Sequence, residues 1–231
     1  EKSGKVITAS ETITIDTSQP AVAIAILSTD GHLSAAEAQQ PMEVRGITSL
    51  YGTGVKLIVT LNGKNYVATV DSAGNWSVSI PSADLQLLQD GNYTISARVS
   101  LGTLSAQATQ NLDVMTHDLP KPTLNTPFGD GYVNSAEHAA AQTLTGTTGV
   151  KGSWQTVTVT IGNKTWETTA DANGKWTLNL SAADMAALAA GTLPITVVAK
   201  DAAGNTGQVQ GNVTVDLTPP SLAVLPLTSD N

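Results

Sequence analysis

The sequence contains no cysteine. Disulfide staples, thiolate metal sites and a cysteine nucleophile are therefore excluded. Histidine is scarce, at positions 32, 117 and 138, which disfavours zinc and copper centres. Aromatic residues make up only 4% of the chain and charged residues 13%. Basic residues are outnumbered, 11 Lys and Arg against 19 Asp and Glu, giving a formal net charge of −8. That balance argues against nucleic acid and anionic membrane surfaces as partners. No apolar run approaches the ~18 residues a membrane-crossing helix needs, so no membrane insertion is expected. No Gly-rich loop follows a strand and opens a helix, so nucleotide binding has no support. What fills the 231 positions instead is Thr, Ser, Ala, Val and Gly, with 41% hydrophobic residues. That is enough for one or two cores without staples, and it reads as an exported all-β protein.

Shifted by 100 positions, the sequence matches itself. Asp30-Gly31 falls on Asp130-Gly131, and Ala36-Glu37 on Ala136-Glu137. Asp71, Gly74 and Trp76 fall on Asp171, Gly174 and Trp176, and Gly91 and Ile95 on Gly191 and Ile195. A period of this length means whole domains in tandem, not a solenoid of short repeats. A shift of 200 places Thr14-Ile15-Asp16 on Thr214-Val215-Asp216, and Pro20-Ala21-Val22 resembles Pro220-Ser221-Leu222. The expected organisation is two complete domains, 17–118 and 119–217. Residues 1–16 read as the last strand of a preceding domain, and 218–231 as a linker and the first strand of a following one.

Each repeat reads as β-strand throughout. Leu57, Val59 and Leu61 alternate with polar or exposed-side positions, as do Val157, Val159 and Ile161. Trp76, Val78 and Ile80 form a second such stripe, matched by Trp176, Leu178 and Leu180, and Tyr93–Val99 and Leu193–Ala199 a third. Period two is the signature of a half-buried strand. Asn62-Gly63, Asp90-Gly91, Ala73-Gly74-Asn75 and Asn173-Gly174 supply turns between them. About seven short strands per repeat of this size predict all-β, tandem immunoglobulin-like sandwiches in an elongated rod. Ser82–Leu88 and Ala182–Ala190 are rich in Ala and Leu and predict one or two helical turns. Asp84 and Asp184 lie early in them, where a carboxylate favours the helix N-terminus.

Acidic residues recur at three places per repeat: an early loop (Asp130 to Glu137), a late hairpin (Asp201-Ala202-Ala203-Gly204-Asn205) and the strand exit (Asp216). In stacked sandwiches the early loop and exit of one domain meet the late hairpin of the next. Converging carboxylates need neutralising, and Ca²⁺, with six to eight oxygen ligands, suits them. The alternative is that Asp and Asn are there to make turns.

An acidic loop with Asn-x-x-Glu, a Gly-x-Trp turn, an Asp-Ala-Ala-Gly-Asn hairpin and a Val-Asp-x-Thr-x-Pro exit resemble the bacterial Ig-like repeats of giant non-fimbrial adhesins. Gram-negative bacteria export these by type I secretion. The likeness covers nearly the whole chain and is clearest in 119–217. It implies a secreted or cell-surface rod, stiffened by Ca²⁺ at the domain junctions and supporting adhesion or biofilm formation. Its partners would be the neighbouring repeats of the same chain and a host-cell surface glycan or protein; the chain itself would be a monomer. Carried over, the metal ligands are Asp130, Asn134, Glu137, Asp201 and Asp216, with Asp16, Asp30 and Glu37 in the first copy. The first copy departs from the pattern. Ser100-Leu101-Gly102 replaces the acidic hairpin, Ser34 stands in place of Asn134, and Met115-Thr116-His117 lengthen the exit. Counted from Pro122 and Pro220, Asp118 aligns with Asp216 and is the expected ligand there. The central junction would then use Asp30, Glu37, Asp118 and Asp201.

Other residues carry less. Asp71 and Asp171 read as turn formers, and Trp76 and Trp176 as core. Trp154 and Trp166 are candidates for stacking on a sugar ring. No acid–base pair or nucleophile recurs, so no catalytic residue is assigned and catalysis is not expected.

Overall fold

A computed structural model describes residues 19–25, 31–152 and 154–219. Asp16, Asp30, residues 1–16 and nearly all of 218–231 lie outside them. Among the described residues no helix is long and apolar enough to cross a membrane.

Sixteen strands form two sandwiches. The first comprises β1 (Val22–Ile24), β2 (His32–Ser34), β3 (Met42–Thr48), β4 (Lys56–Leu61), β5 (Lys64–Val70), β6 (Asn75–Ile80), β7 (Gly91–Leu101) and β8 (Leu104–Met115). Their order is β1-β3-β6-β5-β4-β7-β8-β2. Strand β5 pairs with β4 along its length but with β6 only at Thr69–Ser77 and Val70–Trp76. It turns the corner between a β1-β3-β6 layer and a β4-β7-β8-β2 layer. The second comprises β9 (Thr123–Leu124), β10 (Tyr132–Val133), β11 (Gln142–Thr147), β12 (Thr156–Ile161), β13 (Lys164–Thr169), β14 (Lys175–Leu180), β15 (Gly191–Lys200) and β16 (Thr206–Val215). Here the layers are β14-β11-β9 and β10-β16-β15-β12-β13, and the corner shrinks to one bridge, Ala170–Trp176. In both, a short early strand runs parallel to the last one, β2 with β8 and β10 with β16. This is the all-β immunoglobulin-like fold.

The alternating stripes are the cores. Leu57, Val59, Leu61, Trp76, Ile80, Ile95, Ala97 and Val99 pack in the first sandwich. Val157, Val159, Ile161, Trp176, Leu178, Leu180, Ile195, Val197 and Ala199 pack in the second. Each Trp lies across a glycine of the neighbouring strand. A Cβ on Gly46 would meet Trp76 Cζ2 at 2.5 Å, and one on Gly146 would meet Trp176 Cζ2 at 2.7 Å; both would also meet backbone oxygen. With no disulfide, this apolar interlock is what joins the layers.

Among the described residues α-helix is limited to single turns: α1 (Ser82–Leu85), α2 (Ser135–His138) and α3 (Ala182–Ala186). Two of them, α1 and α3, are the helical turns expected within 82–88 and 182–190. Ser181 and Asp184 form a reciprocal capping box at α3. At α1, Pro81 stands at the cap, and its ring carries no hydrogen-bonding group. Asp84 instead accepts from Lys64 Nζ at 2.6 Å and the Tyr66 hydroxyl at 3.0 Å. Trp166 does the work of Tyr66 in the second copy, its indole N–H donating to Asp184 Oδ1 at 3.0 Å. It packs against the second core and is a structural residue.

Candidate functional site

The late hairpin is built by its own carboxylate. Asp201 Oδ1 accepts the Asn205 N–H at 2.9 Å, and Oδ2 accepts the Asn205 side-chain amide at 2.8 Å. Asp71-Ser72-Ala73-Gly74-Asn75 repeats this geometry in the first sandwich, with distances of 2.8 Å for both bonds. The Asp-x-x-Gly-Asn sequence is therefore a turn device wherever it occurs. Its use at 201–205 differs in one respect: Asn205 reaches the other sandwich. Its Oδ1 accepts the Ala35 N–H at 2.9 Å, and its Nδ2 donates to the Met115 carbonyl at 2.7 Å. The early loop and the exit of the first sandwich thus meet the late hairpin of the second. Asp201 is only 7% exposed there.

The early loops are capped turns. Asn134 Oδ1 accepts the N–H groups of Ala136 and Glu137, and Glu137 Oε2 accepts the Asn134 N–H at 3.0 Å. Ser34 replaces Asn134 without loss of the device: Glu37 Oε2 accepts from the Ser34 N–H at 2.9 Å and its hydroxyl at 2.7 Å. The Asn-x-x-Glu pattern is a capping box. Asp130 closes the turn before it, accepting the Tyr132 N–H at 2.9 Å.

The exits differ between copies. Strand pairing sets Val114 opposite Leu33 and Val215 opposite Val133. By that register the partner of Asp216 is Met115, three residues before Asp118. The lengthened exit has its own holder, Asp90, beyond the turn that the Asp90-Gly91 pair predicts. Its carboxylate accepts the N–H groups of Thr116, His117 and Asp118 at 2.7, 3.0 and 2.7 Å. Burial pushes the Asp90 carboxyl up, but these N–H donors and the His117 ring outweigh it and hold it below the usual carboxylate range. The second copy has Ala190 at this position and a shorter exit. There Asp216 accepts from the Thr218 hydroxyl and N–H, which keep its carboxyl low. The signal for Asp90 was present: the longer exit and the Asp-for-Ala difference occur in the same copy.

A cleft of about 620 Å³ opens between the sandwiches, lined by Asp90, Asp113, Asp118, Asp201, Lys151 and Gln155, among others. Asp113 pairs with His32 at 3.3 Å. Gln155 is 2% exposed; its amide nitrogen donates to the Val150 and Gly152 carbonyls, while its Oε1 is buried without a partner. Oxygen donors of this kind suit a hard cation in type. They do not converge: among the described residues no three His, Asp or Glu side chains group closely enough to hold a metal ion.

Trp154 lies on the loop before β12, 84% exposed, with φ at 66°. It borders a smaller cleft with His32, Thr156 and Lys200.

Against known proteins, residues 130–217 match the model of the bacterial Ig-like domain. That match lies within the second sandwich. The chain is 29% identical to the Ca²⁺-stabilised adhesin that helps an Antarctic bacterium reach out and bind ice, over 87% of this chain and 50% of that one, with a TM-score of 0.45. It is 28% identical to a 1.5-MDa bacterial ice-binding adhesin, over 87% of this chain and 66% of that one, TM-score 0.44. A bacterial immunoglobulin-like domain from the M. primoryensis ice-binding adhesin is 34% identical over 43% of this chain and 99% of that one, TM-score 0.33. The chain spans 50% and 66% of the first two structures. No curated protein matches it.

Proposed function

We propose that this chain is a stalk segment of a bacterial surface adhesin, whose work is reach and stiffness rather than catalysis. The observation that carries the reading is the junction itself. Two sandwiches of one design, each with its own core, meet through Asn205, whose side chain bonds to backbone groups of the other sandwich. Their proposed limits are 17–118 and 119–217. An interface of domains within a chain otherwise leaves relative motion as the default. Secretion to the cell surface and a part in adhesion or biofilm formation belong to the same reading, supported by the likeness to bacterial adhesins.

Calcium at the junctions is a further part of the proposal. It is supported by the recurrence of Asp and Glu, by the four aspartates that line the central cleft and by the unpartnered Gln155 oxygen. Asp201 and Asp118 line that cleft; Glu37 is committed to its capping turn, and Asp30 and Asp16 lie outside the described residues. When bound, the ion would cancel like charge between the sandwiches. The test is thermal unfolding after stripping with chelator, with and without millimolar Ca²⁺. A ligand at about 100 times its Kd adds about 2.7 kcal/mol. A rise in Tm with Ca²⁺ and none with Mg²⁺ is expected; an unchanged Tm with both removes calcium from the account.

One observation favours a second reading, a module that binds a surface glycan. Trp154 presents a nearly bare ring beside polar and basic groups, the arrangement that stacks on sugars. Glycan-array binding that disappears in Trp154→Ala is the expected result; an array without signal for the wild-type chain eliminates it.

A further inference from the structure

Asn205 and its two partners form a plug and a socket. The socket is one N–H and one carbonyl: Ala35, at the start of the early loop, and Met115, at the exit of the last strand. A side-chain amide satisfies both at once, because its acceptor oxygen and donor nitrogen are separate atoms held side by side. Asp201 fixes which way it faces, taking the second amide proton at 2.8 Å. The plug is thus positioned by its own hairpin before it meets the socket.

The same socket is repeated at the far end of the second sandwich. Ser135 follows Asn134 as Ala35 follows Ser34, and Asp216 stands in register with Met115. Ser135 and Asp216 are both exposed. The first sandwich carries no plug of its own: its β7–β8 hairpin is Leu101-Gly102-Thr103-Leu104.

We propose that the end of the second sandwich at Ser135 and Asp216 is a docking surface for another Ig-like repeat whose late hairpin reads Asp-x-x-Gly-Asn. Asn205 fixes the existing junction in the same way. The hairpin sequence then decides which repeats lock rigidly to the one before. Repeats with hairpins like that of the first sandwich are hinges. This rests on the stalk reading, and the experiment separates the two.

The experiment is ¹⁵N relaxation on the full chain in chelator, comparing the tumbling of the two sandwiches. In the wild type both should report one correlation time. Asn205→Ala should split them, and so should Ala35→Pro, which removes the socket N–H. Asn75→Ala, which weakens the same turn with no cross-sandwich contact, should leave one correlation time. Independent tumbling of the wild type in chelator that gives way to one correlation time with millimolar Ca²⁺ would overturn the plug and leave the stalk reading standing; independent tumbling under both conditions would overturn both. A rigid wild type with equally rigid Asn205→Ala and Ala35→Pro would overturn the plug and leave the stalk reading standing. The far-end socket is tested on the full chain lengthened at Leu217 by a second copy of residues 119–217. The appended copy should tumble with the rest, and should come free when Ser135→Pro removes the donor at a first helical position that tolerates proline. An appended copy that is equally mobile, or equally rigid, with Ser135 and with Ser135→Pro contradicts the docking surface.

Discussion

At the scale of single residues, glycine and tryptophan settle how the layers close. Gly146 lies under the Trp176 ring and beside the Thr123 carbonyl, with no room for a methyl group. Gly146→Ala should therefore destabilise the second sandwich by about 3 kcal/mol or more, read as a lower urea midpoint at unchanged m-value. The Trp position was legible because it sits on a period-two stripe. The glycine opposite was not, since its role depends on a pairing register that no local pattern reports. Trp166 shows the limit from the other side. Its absence from the first copy suggested a special surface role, but Tyr66 makes the same bond to the equivalent aspartate. What the two positions share is a ring with a donor at its rim, not a residue name. Burial, then the hydrogen bond and charge of Asp84, push the Tyr66 hydroxyl up to about 12, so it stays a donor throughout the neutral range.

At the scale of elements, four carboxylates and one side-chain amide build turns. Asn134, Glu137, Asp71, Asp130 and Asp201 each accept backbone N–H groups of their own loop. The sequence shows where such residues recur; it does not show whether they face inward to their turn or outward to a neighbour. Ser181→Ala should cost about 1 kcal/mol by removing the α3 cap, measured by urea unfolding. The lengthened exit gives a prediction with a pH sign. The folded Asp90 carboxyl lies below its unfolded value, so the stability it contributes is present above the unfolded pKa of about 3.9 and is lost as pH falls through the folded one. The amide resonances of Thr116, His117 and Asp118 should shift together in that acid range. In Asp90→Ala they should exchange quickly at neutral pH while the two cores keep their protection. Independent titration of the three amides would contradict a shared clamp.

At the scale of the whole molecule, the repeat of about 100 residues was the strongest signal in the sequence, and the two sandwiches share one topology because of it. Opposition of the early loop, exit and late hairpin followed from placing alternate loops at opposite ends of a sandwich. The means of contact did not follow. Charge counting pointed to an ion between carboxylates, whereas an asparagine amide and an aspartate-held linker make the described contacts. Neutral donors and acceptors leave no trace in a charge pattern, which is why Asn205 was passed over. The central claim is that the two sandwiches move as one stiff body. Residual dipolar couplings on the full chain, aligned with millimolar Ca²⁺, test it most directly. The account predicts that one alignment tensor fits the couplings of both sandwiches. Two tensors of different magnitude would show domains swinging on a loose linker and would contradict it.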